Sequence, residues 1–244
     1  MGALLEVRNA TKYFGGLKAN EDISFEAEAG SIVGIVGPNG AGKTTLFNSI
    51  SRTHPLTSGQ IIFNGEDVTK RKPFEVCKLG MGRTYQIPQA MEDMTTLENI
   101  MVGALCHRSS VKAAEERAKE ISEFCDLSEF NNATASSLNV MQKKRLEIAR
   151  ALAGDPKLLL LDETMAGLNG IERTNAINLI RKINANGITI LMIEHVMKVV
   201  MSVSEKVVVI VSGRKLMEGN PNEVTSNPEV INAYLGGGHN AGCQ

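Results

Sequence analysis

The stretch GPNGAGKTT, from Gly37 to Thr45, decides the fold of this chain. It fits the pattern G-x-x-x-x-G-K-[ST], follows the compact apolar run SIVGIVG (31–37) and precedes TTLFNSISR (44–52), which has a helical pattern. Glycines let a backbone wrap closely around phosphate groups, and a helix N-terminus presents its positive end to the same anion. A buried strand, a glycine-rich loop and a helix in this order predict a phosphate-binding loop.

Each position of this loop is a candidate contact to phosphate. Lys43 reaches the outer phosphates, and the Thr44 hydroxyl is a suitable ligand for Mg²⁺. A glycine-rich turn with a chance lysine is the alternative, but it would not explain the strand before the loop and the helix after it. The predicted nucleotide-binding residues of the loop are Gly37, Pro38, Asn39, Gly40, Ala41, Gly42, Lys43, Thr44 and Thr45.

Two adjacent acids, Asp162 and Glu163, follow the apolar run that ends at Leu161. Since ligands of parallel α/β sheets bind at the carboxyl ends of the strands, we expect both acids to face the phosphate loop. Asp162 suits Mg²⁺, directly or through water, and Glu163 suits the polarisation of an attacking water. The alternative is an exposed acidic pair at a strand end.

Composition limits the classes of partner. The chain has 244 residues, 43% of them hydrophobic, and a formal net charge of −1, so no global basic field favours nucleic acid or anionic lipid. Four scattered cysteines without a CxxC pair indicate reduced thiols in a cytosolic protein. No apolar run approaches the ~20 residues of a membrane helix, and the start, MGALLEVRN, lacks the apolar core of a signal peptide. Any role at a membrane therefore requires a partner.

Apolar patterns predict an α/β fold. Residues 4–8 and 21–28 alternate as antiparallel strands do, and QIIFNGEDV (60–68) has a strand–turn–strand pattern. Later apolar runs alternate with helical segments, which indicates a mostly parallel sheet. A mostly helical block from about 73 to 153 interrupts this alternation. We expect a P-loop NTPase core with an N-terminal antiparallel β-subdomain and an inserted helical subdomain.

The predicted boundaries follow from these patterns. One domain covers residues 1–235, with the core and β-subdomain in 1–87 and 154–235, the helical subdomain in 88–153 and a flexible tail in 236–244. Within the helical subdomain, SLNVMQKKRLEIARALAG (137–154) carries its own helix signals. They are an N-cap at Asn139, its capping partner Gln142, an apolar face of Leu146, Ala149 and Leu152, and a stop at Gly154.

Together these features resemble the ATP-binding subunit of an ABC transporter over nearly all of residues 4–235. KYFGGLKA resembles the segment with the adenine-stacking aromatic, which assigns that role to Phe14, with Tyr13 as the alternative. GRTYQIPQ resembles the Q-loop, whose glutamine, Gln86 here, contacts Mg²⁺ or water in this family. LMIEHVMK resembles the switch-histidine segment, in which His195 would hydrogen-bond the γ-phosphate.

Longer phrases, such as MEDMTTLENIMVG, RLEIARALAGDPKLLLLDE and VINAYLG, resemble the ATPases of branched-chain amino acid importers. The resemblance implies ATP and Mg²⁺ as cofactors, and integral-membrane permeases and a second ATP-binding subunit, like or unlike, as partners. It also implies an indirect link to a substrate-binding protein, no nucleic-acid partner, and a peripheral location at the cytoplasmic face of the cell membrane. Amides or urea remain alternative cargoes, because the ATPase does not touch the cargo.

The family's signature motif, Leu-Ser-Gly-Gly-Gln, corresponds here to LNVMQ, residues 138–142. Asn139 replaces the serine, and Val140 and Met141 replace the glycines. In the family the signature of one subunit covers the γ-phosphate held by the other. The amide of Asn139 can donate to that phosphate, whereas the two added side chains obstruct the backbone. Three interpretations stay open: a degenerate half-site in a heterodimer, a weakly working signature, or a chain that is nearly inactive alone.

The predicted function is ATP hydrolysis that energises an importer, with dimer closure acting on the permeases through the helical lobe near residues 86–105. The alternatives are a soluble ABC-type ATPase in assembly or repair and a nucleotide-binding interaction module that barely hydrolyses. A kinase-type enzyme would not explain the Q-loop and switch-histidine phrases. The assigned residues are catalytic Glu163, His195 and Gln86, metal-binding Thr44, Gln86 and Asp162, and nucleotide-binding Phe14, Asn139 and the phosphate loop.

Overall fold

A computed structural model describes residues 2–235 of the chain. These residues form two compact units: the first joins the chain up to Lys72 with the chain from Thr189 onward, and the second runs from Pro73 to Ile188. The predicted helical subdomain, 88–153, falls within the second unit, and the predicted domain boundaries stay predictions. The predicted flexible tail, 236–244, lies outside the described residues.

The described residues contain both strands and helices. The strands are β1 (Ala3–Phe14), β2 (Leu17–Glu28), β3 (Ile32–Val36), β4 (Ser58–Phe63), β5 (Glu66–Asp67), β6 (Met81–Arg83), β7 (Leu158–Asp162), β8 (Thr189–Ile193), β9 (Lys206–Val211) and β10 (Arg214–Gly219). The α-helices are α1 (Lys43–Ile50), α2 (Pro73–Lys78), α3 (Thr96–Ala104), α4 (Val111–Phe124), α5 (Val140–Ala153), α6 (Gly170–Ala185), α7 (Met197–Val203), α8 (Pro221–Ser226) and α9 (Pro228–Leu235). None of the helices in residues 2–235 combines the length and the apolar character that crossing a membrane requires.

The first unit contains the predicted antiparallel β-subdomain. Its strands pair in the order β2-β1-β4-β5, with Val7 opposite both Phe25 on β2 and Ile61 on β4. These three side chains are buried on one face, as the alternating pattern requires. Asn64 and Gly65 both have positive φ, which is the geometry of the two-residue turn predicted between β4 and β5.

The first unit also contains parallel strands, in the order β9-β3-β8, with β10 antiparallel at the outer edge of β9. All residues of β3 and β8 are buried, which explains their continuous apolar sequence. Val36, the last residue of β3, belongs to a buried valine cluster that includes Val209 on β9 and Val230 on α9. This cluster fixes the strand end from which the phosphate loop emerges.

The second unit combines a parallel strand pair, β6 with β7, and the packed helices α3, α4 and α5. The sequence prediction for α5 is confirmed: Asn139 and Gln142 form a capping box, the helix ends at Ala153, and its predicted apolar face is buried. The expectation of a helical block over residues 73–153 misses β6. Strand β6 is only three residues long and exists because it pairs with β7, which no local pattern reveals.

Candidate functional site

The phosphate loop runs from the end of β3 to the start of α1. Gly42, the N-cap of α1, has φ 97° and provides no side-chain cap, so the first amides of the helix are not engaged by their own cap residue. A Cβ atom on Gly42 would lie 2.3 Å from the carbonyl oxygen of Ala19, so no larger residue fits. Gly40 also has positive φ. Glycine therefore allows the left-handed geometry of Gly40 and Gly42 and the close approach of the Ala19 backbone to Gly42. Their close approach to phosphates stays a prediction.

Lys43 and Thr44 begin α1 in contrasting environments. The Lys43 side chain is buried, and its Nζ donates to the carbonyl oxygens of Gly37 and Pro38 at 2.7 and 2.8 Å. These two hydrogen bonds hold the ammonium group of Lys43 against the first residues of the phosphate loop. Thr44 is exposed at the helix start, where its hydroxyl is accessible to a ligand.

His195 lies at the same edge of the first unit as the phosphate loop. β3 and β8 are parallel neighbours with Ile35 opposite Ile193, so the residues that follow each strand leave the sheet side by side. The His195 side chain is exposed, whereas Glu194 before it is buried. The structure brings the predicted switch histidine and the predicted phosphate loop to adjacent strand ends.

The first unit also holds the predicted base-stacking aromatic. Phe14 is exposed at the end of β1, with the His54 ring edge-on at 5.6 Å and Lys12 Nζ 4.7 Å from the ring centre. Tyr13, the alternative, has Lys18 Nζ 5.7 Å from its ring centre. The exposure of Phe14 leaves ring surface accessible to a flat ligand, and its role in base stacking stays a prediction.

In the second unit, the two acids after β7 have different environments. Asp162 is buried, with Arg83 Nη2 3.4 Å from its carboxylate. Its backbone N–H donates to the Thr84 hydroxyl at 3.2 Å. Glu163 is 6% exposed and has φ 50°, a sparsely populated conformation for a residue with a side chain. The carboxylate of Glu163 accepts a hydrogen bond from Gln86 Nε2 at 2.6 Å, so the predicted general base and the predicted Q-loop glutamine are brought together.

Helix α5 supports both functional segments of the second unit. The ammonium group of Lys144 donates to the carbonyl oxygen of Ala166, in the loop that follows Glu163. On the next turn, the Glu147 carboxylate accepts from Gln89 N–H at 3.2 Å, and Arg150 donates to the Gln89 carbonyl at 2.6 Å. Sequence reasoning missed these three residues, because charged residues within an amphipathic helix normally indicate a solvated face.

Burial raises the pKa of the Glu147 carboxyl, against the opposing effect of hydrogen bonds from the backbone N–H groups of Gln89 and Tyr85.

In the first unit, burial raises the pKa of the Tyr234 phenol to about 12, while a hydrogen bond from the Gly37 backbone opposes this shift. Tyr234 is therefore a contact of α9 to the phosphate loop. Its only signal in the sequence was the phrase VINAYLG, which gave no role to the tyrosine.

The divergent signature lies at the start of α5. Asn139 is the N-cap: its Oδ1 accepts from Gln142 N–H at 2.9 Å, and Gln142 Oε1 accepts from Asn139 N–H at 2.8 Å. Val140, the first residue of the helix, is 62% exposed. The side chain that replaces the first glycine thus points into solvent and is not required by the packing of the unit.

The residues predicted to bind Mg²⁺ offer the oxygen ligands that this ion prefers: a hydroxyl at Thr44, an amide at Gln86 and a carboxylate at Asp162. Within residues 2–235 no group of three or more His, Cys, Asp and Glu side chains is placed to hold a metal ion. Sites in which nucleotide phosphates provide part of the coordination use only one or two protein carboxylates. Each of the three groups, taken by itself, is of a type that suits a nucleotide-bound Mg²⁺.

Comparisons with known proteins identify the family of the chain. The family profile "ABC transporter" matches residues 20–166, and the profile "Branched-chain amino acid ATP-binding cassette transporter" matches residues 214–240. The high-affinity branched-chain amino acid transport ATP-binding protein BraF of Pseudomonas aeruginosa is 38% identical over 96% of this chain and 98% of its own. A probable branched-chain amino acid transport ATP-binding protein, LivG of Archaeoglobus fulgidus, is 35% identical over 96% and 95%. The ADP conformation of an ATP-binding cassette of an ABC transporter superposes with a TM-score of 0.88 at 33% identity, over 97% of this chain and 100% of that one.

Proposed function

This chain belongs to the ATP-binding proteins of the ABC transporter family, and we propose that it hydrolyses ATP to drive an importer of branched-chain amino acids. The cargo follows from its relatives: those named for branched-chain amino acid transport match over 96% of the chain. ATP hydrolysis itself is carried by one observation, the contact of Gln86 with Glu163 next to the buried Asp162.

The first unit provides the nucleotide-binding groups. Phe14 stacks on the base, and the amides of the phosphate loop with Lys43 hold the phosphates. Since Lys43 Nζ is already oriented by two carbonyl groups of the loop, its charge is positioned without much loss of side-chain freedom on binding. His195 donates to the γ-phosphate from the adjacent strand end.

The second unit provides the groups for hydrolysis. Asp162 and Gln86 supply oxygen ligands to Mg²⁺. Glu163 orients and polarises the attacking water. Asn139 at the start of α5 is the signature residue that donates to the γ-phosphate bound by a second ATP-binding subunit.

The partners in this proposal are two permease subunits, a second ATP-binding subunit and, indirectly, a substrate-binding protein. The permeases contact the helical lobe near residues 86–105, where Val102 of α3 and Leu105, which follows this helix, are exposed apolar side chains. The chain then acts at the cytoplasmic face of the cell membrane as a peripheral subunit. Amides or urea stay alternative cargoes.

A second candidate is a nucleotide-binding module that barely hydrolyses. The observation that favours it is the LNVMQ signature, in which Val140 and Met141 replace both glycines. A soluble ABC-type ATPase that serves assembly or repair is the remaining alternative.

One experiment separates these functions. The chain is co-expressed with the permeases of a branched-chain amino acid importer, and ATP turnover and ATP-dependent leucine uptake are measured after reconstitution in liposomes. We expect co-purification, turnover and uptake. Lys43→Ala should lose turnover and uptake but still co-purify, and the control Lys112→Ala, an exposed lysine on α4, should retain all three. Turnover without co-purification would support the soluble ATPase, and co-purification without turnover would support the module.

A further inference from the structure

Two segments outside the phosphate loop, one in β2 and one in the β9–β10 turn, donate hydrogen bonds to carbonyl groups of the loop. Asn20 on β2 donates from Nδ2 to the carbonyl oxygen of Gly42 at 3.0 Å. Gly213, in the turn between β9 and β10, donates its N–H to the carbonyl oxygen of Ala41 at 3.0 Å. Two consecutive carbonyl groups of the loop are therefore held by residues that are not part of the loop.

These two segments are also joined to each other. The Glu21 N–H donates to the Gly213 carbonyl at 2.7 Å, and the Arg214 guanidinium forms two hydrogen bonds with the Glu21 carboxylate, at 3.1 and 2.8 Å. A Cβ atom on Gly213 would lie 2.9 Å from the Ala19 carbonyl oxygen, which shows how closely the backbones approach. β2 and the β9–β10 turn thus form one hydrogen-bonded support for the loop.

Asn20 is an unexpected residue at this position. It is 1% exposed, and its Oδ1 has no hydrogen-bond partner among the described residues. A leucine of similar size would fill the same space without burying an unpaired polar atom, so stability alone does not favour asparagine here. The Gly42 carbonyl also accepts the Leu46 N–H at 2.9 Å, the first hydrogen bond of α1, and Asn20 occupies its second lone pair.

The planar peptide bond gives this contact a consequence. In a trans peptide, the carbonyl and N–H groups point in opposite directions. The carbonyl of Gly42 belongs to the same peptide as the N–H of Lys43, and the carbonyl of Ala41 to the same peptide as the N–H of Gly42. Because the hydrogen bonds from Asn20 and Gly213 fix the direction of both carbonyl groups, they also fix the opposite direction of both N–H groups, towards an anion at the start of α1.

From this arrangement we infer that Asn20 is a positioning residue for nucleotide binding: it orients the Gly42–Lys43 peptide so that the Lys43 N–H faces the phosphates of the nucleotide. This inference rests on the proposed function, since it concerns the same phosphate loop. Asn20 contacts the loop and not the reacting atoms. Its loss weakens nucleotide binding before and during the reaction to the same extent, so it raises KM and leaves kcat nearly unchanged.

The test is the affinity of Asn20→Leu for ADP with Mg²⁺, measured by isothermal titration calorimetry, together with KM and kcat for ATP. We expect Kd and KM to rise about three- to tenfold, as for the loss of one hydrogen bond, with kcat within about twofold of the wild-type value. The matched control is Asn99→Leu: Asn99 is also fully buried, and its amide donates to backbone carbonyls of Met91 and Thr95. This control should lower Tm and leave the Kd for ADP unchanged.

Wild-type Kd in a folded Asn20→Leu, or an equal change of Kd in Asn99→Leu, would overturn the inference. If Asn20→Leu does not fold, Asn20→Asp is measured instead. It has the same shape but sets a carboxylate against the Gly42 carbonyl, so it should weaken ADP binding further, and wild-type affinity in this variant would also overturn the inference. Failure of the wild-type chain to bind ADP would instead contradict the proposed function.

Discussion

Gln86 donates a hydrogen bond from Nε2 to the Glu163 carboxylate at 2.6 Å, and the two residues are 77 positions apart in the sequence. Gln86 is exposed, whereas Glu163 is buried and has φ 50°. A non-glycine residue keeps such a conformation only when its surroundings enforce it. Lys144 contributes to this by binding the Ala166 carbonyl in the following loop. The candidate general base is therefore held in one orientation from two sides.

The first prediction concerns Glu163→Gln. The amide has the shape of the carboxylate but cannot accept a proton from water, so turnover should fall about 10²- to 10⁴-fold. ATP affinity should be retained, because the phosphate loop is unchanged. Turnover is measured by phosphate release and affinity by calorimetry, with the exposed Glu129→Gln as the control. Wild-type turnover in Glu163→Gln would show that another group activates the water.

The phosphate loop and α5 were predictable because their signals are local. The glycine spacing around Lys43, the cap at Asn139 and the apolar face of α5 each depend on residues within a few positions of one another. Asn20 and Glu147 were not predictable, because their partners lie 22 and 58 residues away. A buried polar residue whose partner is distant has the same sequence pattern as a solvated one. The assignment of Gln86, His195 and Phe14 required the family resemblance.

The second prediction is a pH dependence of stability due to Glu147. Burial raises the pKa of this carboxyl above its ordinary value of 4.5, so the folded state binds the proton more tightly than the unfolded state. The stabilising contribution is complete below pH 4.5 and is lost as the pH rises through the raised pKa. Glu147→Gln cannot ionise. The free energy of unfolding of Glu147→Gln, minus that of the wild type, should therefore be constant below pH 4.5 and increase as the pH rises through the raised pKa of Glu147.

The measurement is urea unfolding of the wild type and Glu147→Gln at a series of pH values, from below pH 4.5 upwards. The difference between the two proteins removes the contributions of all other titrating groups. The control is Glu116→Gln, which makes the same substitution at an exposed residue of α4. A difference that decreases with rising pH would mean that the hydrogen bonds to Glu147 outweigh its burial.

The third prediction concerns the structural role of Asn139. Its Oδ1 caps α5, so Asn139→Ala should lower the free energy of unfolding by about 1 kcal/mol. Asn139→Ser should recover most of this loss, because a serine hydroxyl also accepts the N–H of Gln142. Chemical denaturation measures both. Equal stability of Asn139→Ala and wild type would show that the cap contributes little.

The fourth prediction concerns the two side chains that replace the signature glycines. Val140 is 62% exposed at the N-terminus of α5. In the proposed function, this is where the backbone approaches the phosphate bound by a second ATP-binding subunit. Val140→Gly with Met141→Gly should remove this obstruction, at a cost of about 0.5–1 kcal/mol in helix stability for each glycine. In a Glu163→Gln background, which blocks hydrolysis, we expect a dimer with ATP and Mg²⁺ only after the glycines are introduced.

Gel filtration with light scattering measures the mass of each variant with and without ATP and Mg²⁺. The control for lost helix stability is Ile171→Gly, a 78% exposed residue in the first turn of α6, which should not dimerise. A dimer of Glu163→Gln with LNVMQ intact would contradict the prediction, because the signature would then close a site despite its side chains. A monomer that binds ATP tightly even with both glycines would mean that closure depends on an unlike subunit, and the obstruction at Val140 would not be the limiting step.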